Sequence, residues 1–79
     1  MSKNPLASEY YQLGKRIQYY RNQKGLTQEE LAEKVRTSVG HLAHIESGMK
    51  TPSLKMLFKI ATALSIRVED LFKFCQANM

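Results

Sequence analysis

His41 and His44 stand three residues apart, a spacing at which two imidazoles share one helix face and can hold a metal ion. No cysteine, aspartate or second histidine pair stands near them to complete a ligand set. The two therefore read as exposed helix residues, and no metal is expected. Glu29, Glu30 and Glu33 crowd three carboxylates together. Helix capping and complementarity to the positive end of a helix account for them. No glycine-rich phosphate loop occurs, and no nucleophile stands with a matched base. Cys75 is the single cysteine, so no internal disulfide can form. Its thiol is open to three readings: a redox switch, an intermolecular bridge, or an inert group. Tyr10, Tyr11, Tyr19 and Tyr20 are of the kind that stacks on single-stranded bases, but they fall on a helix rather than a sheet platform. Tyr20 reads as core and the others as surface or flank. An enzyme is not expected, and no cofactor is implied.

What remains is charge and pattern. The chain has 79 residues and a formal net charge of +5. That length supports one domain with a modest core. Hydrophobic residues make up 43% and charged residues 24%, an ordinary globular balance that argues against disorder. A basic small domain suits a polyanion, and nucleic acid is the commonest. An anionic membrane surface is the rival. Lys15, Arg16, Lys24, Lys34, Lys55, Lys59 and Lys73 read most simply as solvated helix faces adding to a diffuse positive field. No segment approaches the ~20 apolar residues of a membrane span. No apolar stretch near Met1 suits a signal peptide. The cytoplasm is the expected location.

Five helices are predicted from periodicity and stop signals, and no segment alternates like a strand. Residues 1–7 read as a flexible tail, residues 8–76 as the domain, and residues 77–79 as a second tail. The first helix covers about residues 8–24, with Ser8 as N-cap, a stripe of Leu13, Ile17 and Tyr20, and Gly25 as its left-handed stop. Thr27 and Glu30 form a capping box for the second, whose inner face is Leu31, Ala32 and Val35. Ser38 caps the third, with Leu42 and Ile45 inside and Gly48 at its end. Ser53 caps the fourth, whose stripe is Leu54, Leu57, Ile60, Ala61 and Leu64. A short fifth helix over about residues 68–76 carries Leu71, Phe72 and Phe74, which either close the core or form a dimer seam. Only Arg36 to Ser38 separate the second and third helices, which forces a sharp angle between them.

The run Gly25-Leu26-Thr27-Gln28-Glu29-Glu30-Leu31-Ala32 resembles the opening of the helix-turn-helix of phage Cro and repressor proteins, the Xre-like family. Ile45-Glu46-Ser47-Gly48, Pro52-Ser53-Leu54, Ile60-Ala61, Ala63-Leu64, Val68, and Asp70-Leu71-Phe72 continue the likeness in order. It covers roughly residues 13–72. The resemblance implies an all-α, compact five-helix lambda-repressor-like DNA-binding domain, with residues 28–47 as the helix-turn-helix.

By position, the resemblance implies that Val39, Gly40, Ala43 and His44 face DNA bases. Gln28, Ser38, His41, Lys50 and Thr51 would meet backbone phosphates. Arg21 and Glu46 would form a structural ion pair between the first and third helices. Two departures stand out. Members of the family usually carry glycine where Arg36 stands and an apolar residue where Thr37 stands. A left-handed Arg36 costs ~1 kcal/mol or slightly more. Val39, Gly40 and Ala43 cannot form the bidentate bonds that read bases, so phosphate contacts and DNA shape carry much of any specificity.

The implied function is sequence-specific binding of double-stranded DNA by a repressor-like transcriptional regulator. One short helix reads few base pairs, so a homodimer through the C-terminal helix on a pseudo-palindromic operator is expected. No small-molecule ligand is evident. The alternatives are a protein-interaction module of the same fold, antitoxin-like or a regulator's partner, and non-specific packaging of nucleic acid.

Overall fold

A computed structural model describes residues 7–75, with the side chains of Phe74 and Cys75 outside the described set. The sequence readings made on residues 1–6 and 76–79 lie outside it. Four α-helices follow one another: α1 Ala7–Gln23, α2 Gln28–Val35, α3 Val39–Ser47 and α4 Leu54–Ala63. A terminal 3-10 helix, Val68–Cys75, closes the order. Helix α3 packs on α1 and α2, while α4 packs on α2 and on the 3-10 helix, which also meets α1.

Capping starts three of the helices. Thr27 Oγ1 accepts from the Glu30 backbone N–H at 3.0 Å, and Glu30 Oε1 accepts from the Thr27 N–H at 2.8 Å. Ser38 and Ser53 do the same work for α3 and α4, each accepting at 3.0 Å from the N–H three residues on. These bonds satisfy N–H groups that have no partner inside a helix. Ser8 departs from the expected role. The helix begins one residue earlier, and Ser8 Oγ accepts instead from Gln12 Nε2 at 3.2 Å within the helix.

All four α-helices stop in the same way. Gly25, Arg36, Gly48 and Ser65 turn left-handed, at φ 71, 60, 87 and 58°. In each, the left-handed residue donates its N–H to the carbonyl three residues back, and the next residue donates to a carbonyl still further back. Two of these four positions lack glycine, so Arg36 and Ser65 each hold a strained conformation.

Twelve apolar residues form one core: Leu13 and Ile17 of α1, Leu31, Ala32 and Val35 of α2, Leu42 and Ile45 of α3, Leu57, Ile60 and Ala61 of α4, with Leu64 and Leu71. Each fully buried Leu or Ile is worth about 1.5–3 kcal/mol of transfer free energy. Leu54 does not join its stripe. It is the first residue of α4 and is 67% exposed, one turn from Phe58, which is 53% exposed. Tyr20 is only half-buried, with its ring edge-on to Tyr19 at 5.2 Å.

The last element is a 3-10 helix where an ordinary helix was expected. Its three-residue period puts Val68 and Leu71 on one face, both against the core. Asp70 stabilises its start: its N–H donates to the Arg67 carbonyl at 2.9 Å, and its Oδ2 accepts from the Arg67 N–H at 3.0 Å.

Candidate nucleic-acid interface

The turn between α2 and α3 sets the whole site. Arg36 sits at φ 60°, ψ 50°, and Thr37 donates its N–H to the Ala32 carbonyl at 2.9 Å. Ser38 then returns to extended backbone and caps α3. Ala32 is buried beneath, small enough to let α3 approach. Leu31, Val35, Leu42 and Ile45, all essentially without exposure, fix the angle. The outer face of α3 is thereby rigidly presented.

On that face Val39, Gly40 and His44 are exposed, and Ala43 and His41 are half-buried. A methyl group at Gly40 would meet nothing within 4 Å, so no packing inside the domain requires glycine there. Ser38 is exposed at the start of α3, with Lys50 and Thr51 exposed in the loop beyond its other end. Met49, between Gly48 and Lys50, is 71% exposed and was not singled out from the sequence.

Inside, a buried carboxylate joins three helices. Arg21 Nε donates to Glu46 Oε2 at 2.7 Å, and Arg21 Nη2 donates to Glu46 Oε1 at 3.1 Å. Arg21 Nη1 also reaches the Leu26 carbonyl at 2.7 Å. Gln28 Nε2 donates to Glu46 Oε1 at 2.9 Å. The first residue of α2 is therefore held beside α3 by the same group that pairs with α1. The charge of Glu46 is balanced where it is buried, as a buried ion must be.

Sequence reasoning overlooked what lets α1 come so close. A Cβ on Gly14 would lie 2.6 Å from the Ile45 carbonyl oxygen and closer still to that of Glu46. A Cβ on Gly48 would lie 2.9 Å from Tyr11 Cα. Glycine inside the helical pattern of α1 was the available signal. Because of this contact, Tyr11, Lys15 and Gln18 come to line a groove of about 280 Å³ with Gln28. Among the described residues, no group of three His, Cys, Asp or Glu side chains could hold a metal ion. No helix among them is long and apolar enough to cross a membrane.

The sequence profile of a family described as Helix-turn-helix, HTH_3, matches residues 17–71. The chain belongs to this helix-turn-helix family. Its matched stretch runs from the buried Ile17 of α1 to the buried Leu71, so the family covers every core residue except Leu13, not the two-helix motif alone. An uncharacterized HTH-type transcriptional regulator of Archaeoglobus fulgidus is 44% identical over 59 residues, 75% of this chain and 84% of its own length. Among solved structures, the restriction-modification controller protein C.AhdI of Aeromonas hydrophila superposes with a TM-score of 0.80 at 34% identity, over 82% of this chain and 98% of that one. SinR, a master regulator for biofilm formation solved in complex with DNA, gives a TM-score of 0.73 at 37% identity, over 77% of this chain and 98% of the other.

Proposed function

We propose that this chain is a DNA-binding transcriptional regulator of repressor-like type, acting in the cytoplasm by occupying a site on double-stranded DNA. The observation that carries the reading is the outer face of α3. It projects Val39, Gly40 and His44 outward, and its one acidic residue, Glu46, is buried and paired. A solved relative, SinR, is described in complex with DNA.

In this reading α3 enters the major groove. His44 bonds a guanine edge, Val39 meets a thymine methyl, and Gly40 and Ala43 let the helix approach closely. Gln28 bonds a phosphate at the start of α2, where the helix dipole favours an anion. Ser38, His41, Lys50 and Thr51 add further backbone contacts. Two copies joined through the C-terminal segment, where Phe72 is 37% exposed, read a pseudo-palindrome.

The test is selection from a random duplex library at near-physiological salt, repeated with His44→Ala and Gln28→Ala. The proposal expects one enriched motif with two half-sites. His44→Ala should relax base preference, and Gln28→Ala should weaken all sequences alike. If no motif is enriched and binding is weak and purely salt-driven, the protein-interaction reading takes its place.

A further inference from the structure

The groove between α1 and the helix-turn-helix has not been given a role. Tyr11, Lys15 and Gln18 of α1 form one wall, and Ala43 and Ser47, one turn apart on α3, form the other. Gln28 and Glu46 complete its lining. We infer that this groove seats a second DNA backbone phosphate, held by Lys15 with help from the amide of Gln18. The inference rests on the DNA-binding reading above and extends the footprint from the reading helix onto α1.

Four observations support it. Lys15 is the one cation lining the groove and is exposed. Its Nζ stands 5.5 Å from the centre of the Tyr11 ring, a cation–π contact that keeps the ammonium at the rim. Glu46, the one acid in the lining, is 4% exposed and already bonded through both oxygens to Arg21, so it does not repel an anion at the mouth. Gln18 lines the groove with a neutral amide donor for phosphate oxygens, and Gln28 lines it too, one hydrogen of its Nε2 given to Glu46 Oε1 and the second left for an anion. The wall shared with α3 includes Ala43, so a strand passing along the reading face passes this groove. The glycine contact of α1 with α3 fixes the spacing. The larger groove lined by Lys34, Lys55, Lys59 and Phe58 lies on α2 and α4, with no residue of the reading helix α3 in its lining.

The experiment compares Lys15→Gln, Gln18→Lys and Lys34→Gln with wild type on the enriched duplex and on a scrambled duplex, from low to near-physiological salt. Thermal melts check that each variant folds. Lys15→Gln should weaken both duplexes alike, by on the order of fivefold near physiological salt, and flatten the log–log salt slope by about 0.9, the share of one phosphate contact. Gln18→Lys should steepen the slope by a similar amount, because it adds a cation to the same groove. Lys34→Gln, on the α2–α4 side, should change slope and affinity much less. If Lys15→Gln behaves like Lys34→Gln while His44→Ala still relaxes base preference, the groove seats no phosphate and the DNA reading stands. If wild-type protein enriches no duplex, both are overturned.

Discussion

Gln28 and Glu46 are hydrogen-bonded, Nε2 to Oε1 at 2.9 Å, tying the first residue of α2 to the buried side of α3. Arg21 shares that carboxylate, so three helices meet at one charge. Removing only one partner leaves a buried ion uncompensated. Arg21→Met should therefore cost about 3–5 kcal/mol, measured by urea unfolding. A double variant, Arg21→Met with Glu46→Leu, should recover much of that loss, because no charge is left stranded. Equal instability of the single and double variants would show that the pair contributes shape rather than charge balance.

Arg36 and Ser65 each sit left-handed without being glycine. Arg36→Gly and Ser65→Gly should each stabilise the fold by about 0.5–1 kcal/mol, the left-handed cost less the extra chain entropy of glycine. Their closing hydrogen bonds go to different residues, Glu33 and Ala32 in one case and Thr62 and Ala61 in the other. The gains should add in the double variant. A rise in melting temperature for each, and a larger one for both, checks this.

Two helical glycines give opposite predictions. Gly14→Ala drives a methyl into the backbone of α3 and should cost about 1–3 kcal/mol. Gly40→Ala meets open space and should gain about 0.5–1 kcal/mol from helix propensity. Denaturant midpoints of the two variants should move in opposite directions from wild type.

The terminal 3-10 helix makes stability weakly pH-dependent at both extremes. Hydrogen bonding from Lys73, then from the Arg67 backbone, holds the Asp70 carboxyl below the usual aspartate range. A depressed carboxyl contributes stability above its unfolded pKa of about 3.9 and loses it as pH falls through the folded value. The Asp70 bond raises the Lys73 ammonium above the usual lysine value. That contribution is full below the unfolded pKa of about 10.4 and is lost as pH rises through the folded one. Both groups are exposed to solvent, so the effects are small and fall with salt. Asp70→Asn should flatten the acid limb of a stability–pH profile below about pH 4. It should also remove the alkaline decline assigned to Lys73.

Much of the fold is written in short-range signals. The Thr27–Glu30 capping box, the Ser38 and Ser53 caps and the Gly25 and Gly48 stops are each local, and each occurs as a hydrogen bond or a left-handed residue in the structure. What escaped sequence reading depends on neighbours distant in the chain. Leu54 matches its stripe by spacing, yet no element among the described residues covers it at the first turn of α4. Ser8 could cap, but the helix begins ahead of it. Gly14 interrupts α1 without any local reason, and only α3 packed against it supplies one. The groove holding Lys15 and Gln18 exists only through that packing. The roles of His44, Lys50 and the other interface residues rest on position, because contact with DNA depends on a partner the sequence does not contain.

The four left-handed helix ends have a kinetic consequence. Each turns the chain out of its helix within a few residues, and most residue contacts lie near in sequence, within helices and across short turns. Such a topology has low contact order and belongs with helical domains that fold in about microseconds to milliseconds. The docking of α1 on α3 is different in kind, since the Arg21–Glu46 pair closes a separation of 25 residues. Loop closure must precede any reward from that pair. The bare backbone of Gly14 lets α1 come against α3 across that separation.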